Sequence, residues 1–202
     1  DDTLIGGGGE NRLYGDGGND TAYYGDQDDA VYVDLDEGTH GHAYMDGDDD
    51  HLYSIENIVG SDHNDTITGD SGANVLDGND GHDTIDGEGG NDTLIGGNGD
   101  DELTGGSGAD TFKYENISDD DDLITDFDVA EGDTIDLDGL FDALGIATAD
   151  RADAVTLTDG AGETVLTVDN APGFTITLDL IDVSDPLDEA AVMAQINVGD
   201  ES

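Results

Sequence analysis

Through the first half of the chain, single apolar residues recur every nine positions in a background of Gly, Asp and Asn. They are Leu4, Leu13, Ala22 and Val31, then Ile67, Leu76, Ile85, Leu94, Leu103 and Phe112. Two positions before each stands a short side chain with a carbonyl or carboxylate oxygen. In the first block these are Asp2, Asn11, Asp20 and Asp29; in the second they are Asp65, Asn74, Asp83, Asp92, Asp101 and Asp110. The stretches GSDHNDTIT, GDSGANVLD, GNDGHDTID, GEGGNDTLI, GGNGDDELT and GGSGADTFK run consecutively, and Asp29 and Asp65 are four whole periods apart. This pattern predicts a six-residue Gly-rich turn followed by a three-residue strand, repeated in phase.

Beyond Phe112 the pattern changes. Residues 1–114 hold 25 of the 32 Gly, and residues 115–202 hold 7. The runs AVTLTD, ETVLTVD and FTITLDLIDV alternate in polarity and read as strands. Asp185-Pro186 followed by LDEAAVMAQI offers an N-cap, a Pro at the first helical position and early acids, so a short helix is expected. Residues 30–59 interrupt the repeats with AVYVDLDEGT, HAYMDG and HLYSIENIVG, expected as irregular strands at one edge. The domain reading is a first repeat block over 1–29, an insertion over 30–59, a second block over 60–114, and a β-rich cap over 115–202.

Charge narrows the field. The chain carries 53 acidic against 3 basic residues, a net charge of -50, with 43 Asp and 10 Glu. A surface that only needed charge could use either acid, so the Asp excess points to a geometry that fits the shorter carboxylate. Such a chain is repelled by nucleic acid and anionic membrane, and it has no apolar run long enough to span a bilayer. Without Cys there is neither a disulfide nor a thiolate zinc site. The opening Asp-Asp-Thr-Leu, with neither Met nor a leader, is what a piece of a longer protein would show. Low hydropathy with extreme charge is otherwise the signature of disorder, and the strict Asp periodicity argues against reading it so.

These units resemble the RTX nonapeptide repeat, G-G-x-G-x-D-x-U-x, of calcium-binding parallel β-rolls. The resemblance covers about half of the chain. It extends through SIENIVGSDHNDTITGDSGANVLDG, similar to a linker common in the family, and the tail resembles the C-terminal region of bacterial type I secretion substrates. It implies an all-β fold: a calcium-bound parallel β-roll with a β-rich C-terminal cap. It also implies that backbone carbonyls of the first four turn positions complete each calcium site. In this chain the turn residues so assigned are Gly15, Gly17, Gly60, Asp62, Gly69, Ser71, Gly78, Asp80, Gly87, Gly89, Gly97, Gly99, Gly106 and Gly108.

Calcium chemistry suits these residue types independently. The ion takes six to eight hard oxygens, Gly-rich turns can aim carbonyls inward, and one Asp per turn supplies charge. If two units make one coil, each unit stacks on the unit two periods away. The expected pairs are Asp65 with Asp83, Asn74 with Asp92, Asp83 with Asp101, Asp92 with Asp110, Asp2 with Asp20, and Asn11 with Asp29. Asn11 and Asn74 keep an oxygen but lose charge, so their sites should be weaker. One buried apolar side chain per unit, worth about 1.5–3 kcal/mol, does not offset the ordering of nine backbones. Folding should therefore depend on the metal.

Other signals carry less. Asp46, Asp48 and Asp50 imitate the start of an EF-hand loop, but His51 and Asn57 stand where Gly and Glu are needed. His40, His42 and His51 are read as exposed loop histidines rather than transition-metal ligands. Asp119–Asp122 is read as a solvated charge run. Neither H-E-x-x-H nor G-x-S-x-G occurs, and no catalytic residue is expected. The resemblance implies a secreted, extracellular or cell-surface bacterial module, non-catalytic, that folds outside the cell on meeting calcium. Its partner would be the type I secretion machinery. Alternatives within the same family are a polysaccharide-binding accessory of an enzyme such as an alginate epimerase, or the C-terminal part of an adhesin with a cell-surface ligand. The tyrosines at 14, 23, 24, 32, 44 and 53 suggest sugar binding less strongly than edge packing.

Overall fold

The computed structural model describes residues 1–36, 40–116, 121–159, 163–169, 171, 173–179 and 186–197. Each nine-residue unit of the second block yields a three-residue strand with its central side chain buried, because alternation points one residue inward and its two neighbours outward. The Gly-rich turn then carries the chain across to an opposing sheet. One sheet holds, in order, β1 (Thr3–Leu4), β3 (Thr21–Tyr23), β7 (Asn57–Val59), β9 (Val75–Asp77), β11 (Thr93–Ile95), β13 (Thr111–Lys113), β15 (Thr134–Asp136) and β19 (Ile196–Asn197), all parallel. The other begins with β2 (Arg12–Tyr14), β6 (Asp48–Tyr53), β5 (Gly41–Met45) and β4 (Tyr32–Asp34). It continues through β8 (Thr66–Thr68), β10 (Thr84–Asp86), β12 (Glu102–Thr104) and β14 (Asp121–Ile124), and ends with β18 (Thr175–Asp179), β17 (Glu163–Val168) and β16 (Val155–Asp159).

In the second block the stacking interval is two units, as expected: Ile67 lies beside Ile85 and Ile85 beside Leu103. Leu76, Leu94 and Phe112 form the facing column. All six are fully buried in one continuous core.

The first block keeps its period in the 8-stranded sheet, where Leu4 lies beside Ala22 and Ala22 beside Ile58, and departs from it in the other. Val33, not Val31, stands beside Ile67, so β4 has slipped by two residues against the nine-residue count. The insertion is not a set of irregular edge strands. β5 and β6 form an antiparallel hairpin seated inside the sheet, between β4 and β2. Its turn is Asp46-Gly47, both at positive φ, which is hairpin chemistry rather than an EF-hand loop.

The parallel ladder also runs on past residue 114. β14 adds to β12, β15 to β13, and β18 and β19 extend each sheet by one further strand. Over this end lie two short helices that the alternating pattern does not announce, α1 (Asp138–Leu144) and α2 (Thr148–Ala154). Leu137, Leu140 and Phe141 are fully buried there. Arg151 is buried with its guanidinium on Asp138 and Asp142, and its Nε donates to the Ile146 carbonyl at 3.1 Å. A third helix, α3 (Pro186–Met193), forms where the Pro and the early acids predict one. Its expected N-cap, Asp185, lies outside the described residues, as do Asp119 and Asp120 of the acidic run.

Candidate metal centre: two carboxylate ladders

The residue just before each strand sits one coil above its counterpart, and its side chain caps the coil before it. In the 11-stranded sheet, the Asp65 backbone N–H donates to Asp83 Oδ1 at 2.7 Å and that of Asp83 to Asp101 Oδ1 at 2.7 Å. Asp101 N–H continues the column to Asp122 Oδ1 at 2.8 Å. In the 8-stranded sheet, Asn74 N–H donates to Asp92 at 2.8 Å, Asp92 N–H to Asp110 at 2.9 Å, and Asp110 N–H to Asp133 at 3.0 Å. Asp2 N–H reaches Asp20 at 2.6 Å, so this expected pair also meets.

Oδ1 is thus used by the fold. Oδ2 is not: in Asp20, Asp50, Asp83, Asp92, Asp101 and Asp110 it is buried with no hydrogen-bond partner. Backbone carbonyls converge on the same places. A Cβ added to Gly60 would lie 2.4 Å from Asp65 Oδ2 and 2.7 Å from the Gly78 carbonyl oxygen. At Gly78 the corresponding distances are 2.2 Å to Asp83 Oδ2 and 2.5 Å to the Gly96 oxygen. Only glycine leaves this gap open. Burial, foremost, pushes the Asp83 carboxyl up to about 8, and those of Asp92 and Asp101 to about 6, with neighbouring carboxylates adding to the effect. Asp65, Asp110 and Asp133 are raised for the same leading reason. Buried anionic oxygens without donors, beside inward carbonyls, are a hard-oxygen donor set that fits Ca2+.

The turn positions divide. Gly15, Gly60, Gly69, Gly78 and Gly87 are buried against ladder side chains. At Gly97, Gly99, Gly106 and Gly108, all at positive φ, the carbonyl of the preceding coil packs where a side chain would begin. Gly17, Asp62, Ser71 and Asp80 are exposed, while Gly89 is buried and bridges to Ser107. Asp62 Oδ1 accepts from Asn79 Nδ2 at 2.5 Å, so its side chain ties neighbouring turns together at the surface.

One expected pair fails to meet. Asn11 lies on Asp50, its backbone N–H to Oδ1 at 2.8 Å, whereas Asp29 is exposed. The physical reason is the two-residue slip of β4, which puts Val31 in the ladder position; Val31 N–H donates to Asp65 Oδ1 at 2.8 Å. The hairpin then supplies Asp50 in place of Asp29. Glu56, overlooked in the sequence, fills the other column, accepting from Asp20 N–H at 2.9 Å. Asp133 was legible: residues 133–136 read DTID, identical to 83–86. Asp122 has the same Asp-x-apolar spacing to Ile124, hidden within an acidic run.

A family model for the RTX calcium-binding nonapeptide repeat matches residues 1–31, 59–94 and 77–112. A comparison with curated protein sequences finds no match. Among solved structures, the chain is similar to the AlgE6R3 subunit of the Azotobacter vinelandii mannuronan C5-epimerase. Identity is 30% and the TM-score 0.52, covering 71% of this chain and 83% of that one. The AlgE6R2 subunit of the same enzyme gives 27% identity and a TM-score of 0.51 over 72% and 94%. The extracellular lipase LipA of Serratia marcescens gives 18% identity and a TM-score of 0.48 over 95% of this chain and 34% of its own. With its repeats, its parallel roll and its carboxylate ladders, the chain belongs to the RTX family of calcium-binding nonapeptide-repeat proteins.

Proposed function

We propose that this chain is a non-catalytic module whose folding is switched on by calcium outside the cell and whose C-terminal part directs export by a type I secretion system. The observation that carries the reading is the row of buried Oδ2 atoms without partners. Such carboxylates oppose folding in the absence of a cation and favour it when one is bound. A chain of this kind stays extended where calcium is scarce and collapses where it is abundant. Asp20, Asp65, Asp83, Asp92, Asp101 and Asp110, with Asp50, Asp122 and Asp133, would hold the ions together with the turn carbonyls. Asn11 and Asn74 would form weaker sites, Asp2 would stand at the first coil beside Asp20, and Asp29 would take no part. Residues 1–29, 30–59 and 60–114 would act as two repeat blocks and an insertion, and 115–202 as cap and export segment.

The test is export from a host carrying a type I system. The full chain should appear in the medium and be β-rich there, whereas a chain truncated after Lys113 should stay inside. Equal export of both would overturn the targeting half of the proposal.

A second reading, polysaccharide attachment, is favoured by one surface. Tyr14 and Tyr53 stack with centroids 4.6 Å apart, and Tyr32 and Tyr44 lie 6.1 Å apart, with Tyr14, Tyr32 and Tyr44 exposed. Exposed aromatic faces suit sugar rings. Retardation in alginate-containing gels, lost in Tyr14→Ala, would support it; unchanged mobility of the wild-type chain would dismiss it.

A further inference from the structure

The β5–β6 hairpin alternates sharply. Ala43, Met45, Asp50 and Leu52 are buried, while His42, Tyr44, Asp49, His51 and Tyr53 face outward. Register places His42 directly opposite His51. His40 stands immediately before β5, two residues from His42, and so falls on the same side. The three imidazoles converge: one ligand-capable nitrogen from each lies within 4.8 Å of the others. His40 Nε2 and His51 Nδ1 are 2.7 Å apart.

Two features separate this cluster from chance stacking of rings. His42 Nδ1 is hydrogen-bonded to Asp49 Oδ1 at 2.9 Å, which fixes the tautomer and leaves Nε2 with its lone pair. A carboxylate behind an imidazole is the usual way of orienting a metal-bound histidine. The rings are also held from the sides. His40 stacks on Tyr53 with centroids 4.5 Å apart, and His42 on Tyr44 at 5.6 Å. Nitrogens bound to one tetrahedral ion at about 2.0–2.1 Å stand roughly 3.3 Å apart, so a small outward rotation of two rings already in contact would admit it. The flanking strands offer Arg12 beside His51 and Asp34 beside His42, opposite charges on either side of the cluster.

We propose that His40, His42 and His51 form a binding site for a borderline divalent transition ion, Zn2+ or Cu2+, with Asp49 positioning His42. The donor chemistry sets it apart from the ladders. Imidazole nitrogen selects zinc and copper, whereas carboxylate and carbonyl oxygens select calcium. The two kinds of site share β6, where Asp50 points inward and its neighbours Asp49 and His51 point outward.

The test uses the full chain in excess calcium, so that the roll is folded and its carboxylates are occupied. Titration calorimetry with Zn2+ should give one equivalent that calcium does not displace. His51→Gln should weaken it at least ~10-fold and Asp49→Asn by roughly 10–100-fold, with the calcium-loaded circular dichroism unchanged. Electron paramagnetic resonance with Cu2+ should show coupling to imidazole nitrogens. Equal Zn2+ affinity in a chain carrying His40→Ala, His42→Ala and His51→Ala would overturn the proposal by assigning the ion to surface carboxylates. Should a variant disturb the fold, the wild-type copper spectrum still decides, because the absence of nitrogen coupling refutes the site by itself.

Discussion

The two repeat blocks share a period and differ in what they do with it. From Gly60 to Phe112 every unit has the same length, so side chains nine residues apart in sequence alternate between the sheets and those two units apart stack. The ladder residues are accordingly buried without a break from Asp65 to Asp110. From Asp1 to Val59 the count survives in space only in the 8-stranded sheet, where Leu4, Ala22 and Ile58 stack in phase, and is lost in the other. Val31 replaces a carboxylate, Glu56 replaces an Asp, and a hairpin carries Asp50 into the column beside Asn11. Periodicity therefore reports how units are spaced along the chain, whereas register is decided by which apolar residue reaches the core. In β4 the core takes Val33, and Asp29 is left in solvent.

The sharpest break of this contrast is a pair of substitutions. Asp83→Ala removes a buried Oδ2 and also the acceptor of Asp65 N–H, whereas Asp29→Ala removes only an exposed carboxylate. An orphaned buried N–H alone costs about 1–3 kcal/mol. The calcium midpoint of folding should rise about tenfold for Asp83→Ala, since about 1.4 kcal/mol is a factor of ten. For Asp29→Ala it should stay within about twofold. Equal shifts would mean that total charge, not ladder position, governs the transition.

A smaller effect is expected where the second block is joined to the first. Asn74 is satisfied as an amide, accepting from Asp70 N–H at 2.9 Å and donating Nδ2 to the Glu56 carbonyl at 2.7 Å. Asn74→Asp would set an oxygen against that carbonyl while adding a charged donor for a cation. Calcium dependence should steepen: less β structure in chelator, and a midpoint shifted by roughly threefold in saturable titration. A variant that is more ordered than wild type without calcium would contradict this.

The smallest effect concerns protons. Asp83, Asp92 and Asp101 have folded-state values above the ordinary carboxylate value of 3.8. The calcium-free roll therefore binds more protons than the unfolded chain between that value and about 8. Its stability must fall as pH rises through this window and recover on acidification. In chelator, β signal should be greater at pH 5 than at pH 8, most of it from the second block. A flat profile would show that the carboxylates do not oppose the calcium-free fold.

Much of the second block could be read directly, because one residue type at one spacing does one job there. The pairs Asp65–Asp83, Asn74–Asp92, Asp83–Asp101 and Asp92–Asp110 all meet through the backbone N–H of the first donating to the carboxylate of the second. The slip at Val31 was not legible, since Asp29 and Val31 satisfy the pattern as well as Val31 and Val33 satisfy the core. Asp50 was hidden by the hairpin, which changes the chain length between stacked strands, whereas Glu56 keeps the count, 36 residues after Asp20 and 18 before Asn74, and was hidden by being Glu rather than Asp. At the other end, α1 and α2 escaped notice because Leu137, Leu140 and Phe141 are buried against the end of the roll rather than spaced along a long amphipathic face. The three histidines were each unremarkable in sequence. Only the His42–His51 register across an antiparallel pair brings them together.

The central claim is that cation binding supplies the stability this roll lacks, and far-ultraviolet circular dichroism of the full chain tests it most directly. After exhaustive chelation at pH 8 the spectrum should be that of a largely disordered chain. Millimolar calcium should restore the β spectrum, and magnesium, which demands tighter octahedral geometry, should do so far less. A β spectrum that persists unchanged in chelator would contradict the claim, for the buried Oδ2 atoms would then be tolerated without a cation.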